Sequence, residues 1–222
     1  IIIESHNDFD CNGGAFYDYL IKNNYNEKYK IVWMLKNKAP SGLPSNVVTC
    51  QVYRPSIRKA WYVCRAKIFT ADNVITKKVR KEQKSFYFTH GAVGLKSVVG
   101  KCNIPDTVDY ILSPSEFYGP IQAKQGSMSY PNKRFLCLGY PCHDTLFMPS
   151  DNELEKITQH EYAKMVLWMP TFRKGGGYKR NDSTKEQPMG IPIIETEEDL
   201  QKLNEALCEL DMLLIIKIHP MQ

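Results

Sequence analysis

Short apolar runs alternate with helical patterns along most of this chain. The runs have the length and the β-branched and aromatic composition of buried strands, and they lie at residues 1–4, 31–35, 47–52, 67–70, 85–88, 108–112 and 134–138. Segments with apolar residues at helical spacing separate several of them. Alternation of this kind predicts βαβ units and a mainly parallel sheet, so we predict an α/β fold.

Two of the predicted helices have clear sequence signals. One begins at Ala15, after a polar loop at residues 5–14, and stops at a pair of asparagines. The other starts at Ser56, which is a good N-cap. Its apolar residues share one face, the pattern of a helix that packs on a core, and they are Ile57, Ala60, Trp61 and Cys64.

The alternation breaks at Pro149 and the polar residues that follow it. We therefore predict two domains, a Rossmann-like domain at 1–148 and the start of a second one at 149–222. The second contains predicted helices at 153–158 and after Thr196, and strands at 165–169 and 212–218. Thr196 to Asp199 resembles a capping box, and the apolar face behind it consists of Leu200, Leu203, Leu207 and Leu210. Two strands cannot complete a doubly wound sheet, so we expect the second domain to be truncated.

Composition excludes several classes of protein. The chain is 43% hydrophobic and 24% charged, which is ordinary for a globular protein. No apolar run approaches the roughly 18 residues that span a bilayer. The seven cysteines form no Cys-x-x-Cys pair, and no cluster has metal-ligand spacing, so we expect reduced thiols and no metal.

The net charge of +5 includes one local concentration of basic residues. The pattern is typical of a solvated surface or of a patch that meets a polyanion or an anionic membrane. The residues are Lys77, Lys78, Arg80, Lys81 and Lys84.

The most informative single residue is His90, which ends the apolar run at 85–88 and precedes Gly91. Ligands of open α/β sheets bind at the carboxyl ends of the strands, and an imidazole there can act as a base near neutral pH. A histidine that only hydrogen-bonds a turn would give the same pattern. The residues alone leave both interpretations open.

Other polar residues also follow predicted strands. Asp8, the turn at Tyr140, Arg173 and His219 all fall at carboxyl edges, and two such edges that face each other would form a cleft. A guanidinium and imidazoles in a cleft suit an anionic, phosphate-bearing substrate.

Four short motifs at these positions together resemble one family. They are Thr89-His90-Gly91 with Leu95-Lys96, Gly139-Tyr140-Pro141 with Asp144 and Leu146, Pro170-Thr171-Phe172-Arg173, and Lys217-Ile218-His219-Pro220. Their order and spacing resemble those of the CDP-glycerol:poly(glycerophosphate) glycerophosphotransferases, which have the GT-B fold.

The resemblance implies a GT-B-like architecture and a role for each motif. His90 is expected to be the base that deprotonates an acceptor hydroxyl, and His219 the second catalytic residue. The donor side would include Arg173, Lys217 and Thr171. The acceptor side and its loops would include Asp8, Gly91, Lys96, Tyr140 and Asp144.

The resemblance also implies the partners. We expect a CDP-linked polyol-phosphate donor such as CDP-glycerol, a lipid-linked or polymeric hydroxyl acceptor of a teichoic acid or capsule polymer, and an anionic membrane surface at the cytoplasmic face. No cofactor and no nucleic acid are expected. Two alternatives remain, a GT-B glycosyltransferase that uses a nucleotide sugar, and a non-catalytic nucleotide- or polymer-binding module.

Overall fold

The computed structural model describes residues 1–89, 91, 97, 99–100, 104–148, 152, 154–170, 189–191 and 193–218. The remaining residues include five predicted site residues, which therefore lie outside the described part of the chain: His90, Lys96, Thr171, Arg173 and His219. Contacts within the chain divide it into two compact units, Ile1–Pro149 and Ser150–Gln222. The assignment of an acceptor side to 1–148 and a donor side to 149–222 stays a prediction.

The first unit contains a seven-stranded sheet in which every neighbouring pair is parallel. The parallel α/β fold expected from the alternation of strands and helices is confirmed, with strand ends within about two residues of those predicted. The strands are β1 (Ile2–Glu4), β2 (Ile31–Leu35), β3 (Val47–Gln51), β4 (Ile68–Ala71), β5 (Lys84–Tyr87), β6 (Tyr110–Ser113) and β7 (Phe135–Cys137).

The strand order is β3-β2-β1-β4-β5-β6-β7. Strands β2 and β3 follow one another on one side of β1, and strands β4 to β7 follow one another on its other side. The order therefore reverses between β1 and β4, and this topological switch point is where open α/β sheets leave a crevice at their carboxyl ends.

The helices described in this unit are α1 (Cys11–Lys22), α2 (Tyr25–Lys28), α3 (Ile57–Arg65) and α4 (Gly119–Gln125), with a 3₁₀ helix at Pro141–Phe147. The prediction that residues 11–14 belong to a loop was wrong, because α1 begins at Cys11. Its first turn packs so tightly that glycine is required. A Cβ at Gly13 would lie 2.8 Å from the Glu4 carbonyl oxygen, and one at Gly14 would lie 2.6 Å from that of Phe9.

The core forms on both faces of the central strands. Ile3, Trp33 and Leu20 pack on the face covered by α1, where Phe9, Tyr17 and Trp33 also make edge-on or tilted ring contacts. On the opposite face, α3 covers Ile2, Met34, Cys50 and Phe69. Alternate residues of β1 and β2 thus serve two cores, which explains why these strands are apolar without interruption.

The predicted N-cap of α3 is confirmed, because the Ser56 hydroxyl accepts a hydrogen bond from the Lys59 amide. The prediction of its packing face was wrong. The predicted stripe faces solvent, with Ile57 91% and Trp61 53% exposed, whereas Val63 is only 8% exposed.

A buried amide explains which face of α3 is turned inward. The Gln83 side chain donates hydrogen bonds to the carbonyl oxygens of Val63 (2.7 Å) and Ala66 (2.8 Å). These bonds fix the last turn of α3 against the segment before β5. Apolar periodicity identifies a stripe on a helix, but a helix with two apolar stripes needs a tertiary contact of this kind to choose between them.

The second unit has two described strands, β8 (Lys164–Trp168) and β9 (Met212–Ile216), which pair in parallel, and the helix α5 (Glu197–Glu209). The capping box at Thr196 and Asp199 is confirmed in both of its halves. Within the predicted apolar face, Leu203 and Leu207 are half-buried, while Leu200 and Leu210 are exposed.

The helix predicted at 153–158 is not observed. Its described residues, 154–158, form turns, with the Thr158 amide bonded to the Leu154 carbonyl. In the part of the chain that the structure describes, no helix is long and apolar enough to cross a bilayer.

The two faces of α3 should respond differently to truncation. Val63→Ala should lower the free energy of unfolding by about 1–3 kcal/mol, because it leaves a cavity in the core beneath the helix. Ile57→Ala, on the same helix, should change it by less than about 0.5 kcal/mol, because the side chain is already in water. Urea unfolding of both variants measures this, and equal losses would contradict the orientation of α3.

Candidate functional site

The carboxyl ends of β1, β4 and β5 meet the first turn of α1, and the polar groups there are buried. Glu4, at the end of β1, accepts hydrogen bonds through Oε2 from the amides of Asp72 (3.1 Å) and Asn73 (2.9 Å). Its other oxygen lies 2.5 Å from the Lys36 ammonium. Lys36 also donates to two carbonyl oxygens of the loop after β1. One salt bridge therefore joins the ends of β1 and β2 at this edge.

Asp72 follows β4 directly and is 0% exposed. Its Oδ2 accepts a hydrogen bond of 2.9 Å from the Gly13 amide in the first turn of α1. Burial raises the pKa of this carboxyl from 3.8 to about 7, and the neighbouring carboxylates of Glu4 and Asp10 act in the same direction. The Gly13 amide opposes the shift but does not cancel it. Near neutral pH the group thus exists in both protonation states.

The carboxyl of Asp72 occupies the position where dinucleotide-binding sheets hold a phosphate. In those proteins a helix begins at the switch point and its free amides bind the anion. Here the Gly13 amide is already bonded to Asp72, and the Gly14 amide is bonded to the Asp10 carbonyl at 2.7 Å. A phosphate at this place would also meet Glu4 and Asp72. The switch point of the first unit is therefore unsuited to a diphosphate.

The segment that leads to His90 is held by a second group of contacts. Thr89 is buried and has a φ of +63°, which is unusual for a β-branched residue. Its hydroxyl donates to the Tyr140 hydroxyl at 3.0 Å, and its carbonyl accepts from the Asn12 amide at 2.9 Å. Backbone strain of this kind persists only where the surroundings fix it, and it clusters at functional sites.

Two thiols lie at this edge and are poor nucleophiles. Burial raises the pKa of Cys11 to about 11, with further contributions from Asp10 and Asp72. Burial also raises the pKa of Cys142. The thiolate is the reactive form of cysteine, so these two residues do not favour covalent catalysis.

An apolar groove of about 460 Å³ lies beside the Tyr140 turn. The sheet forms its floor, and its lining includes Phe16, Phe88, Leu112 and Leu136. Tyr140 is buried in the same region with Phe88 and Leu112, and burial raises the pKa of its phenol. Among the described residues that line the groove, none is a cation that could bind a phosphate. Among the described residues, no group of three or more His, Cys, Asp or Glu side chains forms a candidate metal site.

Three sequence-predicted residues of the first unit differ in their exposure to solvent. Tyr140 lies in the buried contact with Thr89. Gly91 is exposed with a φ of +140°, a conformation that side chains rarely adopt, in keeping with the turn expected there. Asp144 is exposed on the 3₁₀ helix at the border of the groove.

Asp8 is linked to the buried group through the backbone of Lys36. Its carboxylate accepts hydrogen bonds from the amides of Lys36 (2.9 Å) and Asn37 (2.8 Å), which follow β2. The contacts seen for Asp8 thus connect two loops, and its acceptor role stays a prediction.

In the second unit, Lys217 follows β9 directly and is exposed, and its amide bonds the Trp168 carbonyl at the end of β8. It lies at the carboxyl edge of this sheet, because β9 ends two residues before the predicted end of that strand at residue 218. The predicted roles of His90, Lys96, Thr171, Arg173 and His219 are not tested by the described residues and stay predictions.

Sequence reasoning missed Glu4, Asn12 and Asp72. A signal existed for two of them, because Glu4 and Asp72 stand at the ends of predicted strands, the criterion that selected His90. Asn12 gave no such signal, since it was assigned to a loop.

Comparison with solved structures identifies the class of fold. The chain matches the structure of the wall teichoic acid polymerase TagF with a TM-score of 0.70 and 19% identity, over 99% of this chain and 56% of that one. A histidine variant of that polymerase, soaked with CDPG for 15 minutes, matches with a TM-score of 0.66 and 18% identity, over 98% and 55%. The predicted GT-B-like α/β architecture is thereby confirmed.

Sequence comparison identifies the family. The profile of the CDP-glycerol:poly(glycerophosphate) glycerophosphotransferases matches residues 1–222. The teichoic acid poly(glycerol phosphate) polymerase of Bacillus spizizenii (strain W23) is 24% identical over 245 residues, covering 99% of this chain and 59% of the relative. The chain belongs to the CDP-glycerol:poly(glycerophosphate) glycerophosphotransferase family, as its motifs indicated. It spans a little over half the length of these relatives.

The raised pKa of Asp72 predicts a pH-dependent stability. Between about pH 4 and pH 7 the folded state binds a proton at Asp72 that the unfolded state has released, so this group lowers stability as pH rises. Asp72→Asn keeps a hydrogen-bond acceptor for Gly13 but removes the charge. The variant should gain stability relative to the natural protein across this range, by at most about 4 kcal/mol.

Thermal melting of both proteins at several pH values measures the difference. It should grow from about pH 4 to about pH 7 and then become constant. A difference that does not change with pH would contradict the protonation state inferred for Asp72.

Proposed function

We propose that the protein containing this chain transfers a glycerophosphate unit from CDP-glycerol to a hydroxyl group of a cell-surface polymer or of its lipid-linked precursor. The observation that carries the proposal is the match of the family over the entire chain. The same family has solved structures with the fold of this chain, one of them of a protein soaked with CDPG.

The proposed reaction is one phosphoryl transfer. The acceptor hydroxyl oxygen forms a bond to the phosphorus that carries glycerol, and the bond from that phosphorus to the oxygen of the cytidine phosphate breaks. His90 takes the proton of the hydroxyl, and CMP leaves with the bonding electrons. Cationic groups on the donor side, for which we propose Lys217, Arg173 and His219, stabilise the charge on the leaving phosphate.

The electrostatics of the first unit support its assignment to the acceptor. The carboxyls of Glu4 and Asp72 lie at the switch point, and Lys36 is already paired with Glu4 there. A neutral hydroxyl tolerates this environment better than a diphosphate does. The exposed Lys217, at the carboxyl edge of the second sheet, suits the donor phosphates.

We also propose that an anionic membrane binds to a surface formed by α3 and the basic segment before β5. Arg80 donates to the Ala66 carbonyl at the end of α3, so the two segments are contiguous. The exposed stripe of Ile57 and Trp61 is flanked by arginines, and Arg65 stacks over the Trp61 ring at 5.0 Å. An apolar and aromatic stripe with basic neighbours is the pattern of a helix that lies on a lipid surface.

The structure changes which basic residues can contribute to that surface. Lys78 is half-buried and bonds both carboxylate oxygens of Asp109 at 2.6 Å. Arg80 pairs with Glu82 at 2.7 Å. Lys77, Lys81 and Lys84 are exposed. We therefore assign the electrostatic part of binding to these three lysines and the helix arginines.

The first test of the proposal is CMP release from CDP-glycerol in the presence of a glycerophosphate-primed acceptor. The protein should be expressed with any flanking sequence that its gene encodes. His90→Ala should lower turnover by roughly two to four orders of magnitude, because it removes the general base. The KM for the donor should change little. Arg173→Ala and Lys217→Ala should raise that KM, because each removes a cation from the donor phosphates.

His160→Ala is the matched control, since this histidine is exposed in the second unit. It should retain normal turnover. Full activity of a folded His90→Ala variant would remove the proposed base. Nucleotide release from a nucleotide sugar, and not from CDP-glycerol, would favour the glycosyltransferase alternative, and release from neither would favour a binding module.

The second test is binding to vesicles that contain phosphatidylglycerol. Lys77→Gln with Lys81→Gln should weaken binding roughly tenfold or more at low salt, because each basic residue near such a surface contributes about 1 kcal/mol. Trp61→Ser should weaken binding at all salt concentrations, because its contribution is apolar.

The matched control removes two exposed lysines elsewhere on the same unit, Lys124 and Lys133, by substitution with glutamine. Co-sedimentation with vesicles gives the affinities. If the control pair weakened binding as much as the Lys77 and Lys81 pair, a general charge effect would replace the proposed surface.

A further inference from the structure

Asn12, the second residue of α1, is 1% exposed, and its amide group joins three segments. Its Nδ2 donates to the carbonyl oxygen of Thr89 at 2.9 Å and approaches that of Phe88 at 3.4 Å. Its Oδ1 accepts from the Cys142 amide at 3.2 Å. One side chain therefore connects the start of α1, the segment after β5 and the start of the 3₁₀ helix.

The carbonyl that Asn12 binds belongs to the peptide group between Thr89 and His90. Thr89 itself has a left-handed backbone conformation, and its hydroxyl is bonded to Tyr140. The two contacts hold Thr89 from both ends, through its side chain and through its carbonyl. Tyr140 and Cys142 belong to the same turn, so that turn and Asn12 together fix the backbone that leads into His90.

We propose that Asn12 is a positioning residue for the transfer reaction, acting through the Thr89–His90 peptide group and the Cys142 amide. The inference rests on the proposed role of His90. The hydrogen bonds of the Asn12 side chain described above are all to backbone groups of the protein. The contribution of Asn12 is to hold the backbone before His90 in one orientation relative to the turn at Tyr140, so that the base meets the acceptor hydroxyl in a fixed geometry.

The chemistry of the side chain supports this role over simple core filling. Burying an amide destabilises the folded protein unless the amide makes its hydrogen bonds. An apolar residue of the same size would fill the space without that requirement. The amide also offers a donor and an acceptor at once. At this place both are used, the donor on a carbonyl and the acceptor on a backbone amide.

Two variants whose side chains branch at Cγ, as that of asparagine does, test the inference in the complete protein. Asn12→Leu removes both hydrogen bonds and should lower kcat roughly 10- to 100-fold, as expected for a misplaced catalytic group, with KM for CDP-glycerol within about threefold. Asn12→Asp keeps the acceptor for Cys142. Its carboxylate form faces carbonyl oxygens, whereas its protonated form can donate to the Thr89 carbonyl.

The kcat of Asn12→Asp relative to the natural protein should therefore rise as pH falls from about 8 to about 6, where a buried carboxyl gains its proton. Asn12→Leu should show no such recovery. Asn12→Leu adds no carboxyl, so its pH profile shows how much of any change comes from the other ionisable groups near position 12, which all three proteins share. They are Glu4, Asp10, Cys11, Asp72, Tyr140, Cys142 and His143.

Hydrogen exchange provides a readout that does not depend on the donor. Asn12→Leu should increase exchange in peptides that cover residues 86–91 and 140–147, and leave α3 unchanged. If the natural protein releases no CMP but Asn12→Leu still increases exchange in these two segments, the proposed function is wrong, while the role of Asn12 in fixing the backbone before His90 is supported. Unchanged exchange, or a folded Asn12→Leu variant with normal kcat, would overturn the inference. An Asn12→Asp variant without recovery at lower pH would do the same.

Discussion

The hydrogen bond between the Gly13 amide and the Asp72 carboxyl connects the first helix to the switch point of the sheet. It requires α1 to begin at Cys11, and that in turn requires glycine at positions 13 and 14, where a Cβ would overlap the backbone of Glu4 and Phe9. Once α1 begins there, its second residue, Asn12, lies within reach of Thr89 and Cys142. The geometry around the residue before His90 thus depends on where one helix starts.

The same contact determines the electrostatic character of the site. Two carboxyls lie where the strand order reverses, and their hydrogen-bonding partners differ. Glu4 has Lys36 as its partner, whereas Asp72 has neutral amides and a pKa raised by burial to about 7. Keeping one carboxyl paired and the other partly protonated lowers the cost of burying both. The outcome is a first turn of α1 in which the amides of Gly13 and Gly14 are already bonded, although the strand order is that of phosphate-binding folds.

Much of the fold could be predicted from the sequence, because buried parallel strands are apolar without interruption and the turns between them are polar. Two of the errors have a common cause. The start of α1 and the packing face of α3 were both predicted wrongly, and both are decided by buried polar contacts, from Asp72 to Gly13 and from Gln83 to Val63 and Ala66. Periodicity contains no information about such contacts. The family, by contrast, was predictable, since motifs report chemistry that does not depend on where a helix begins.

In the candidate site, too, the sequence pattern predicted which residues lie at the sheet edge, whereas their hydrogen-bond partners are known only from the structure. The rule that polar residues after parallel strands approach one another selected Tyr140, and the structure pairs it with Thr89. The rule did not indicate that Tyr140 would be buried, or that its hydroxyl would accept a hydrogen bond from Thr89 and so support the segment before His90. Asn12 belongs to the same support, yet it lies on a helix and follows no strand. A search of the sequence for reactive side chains does not find residues that position another residue through its main chain. Such a residue can be an ordinary asparagine, whose amide group is not reactive. Such residues become recognisable only when the acceptor of each hydrogen bond is known, as it is here for the Thr89 carbonyl.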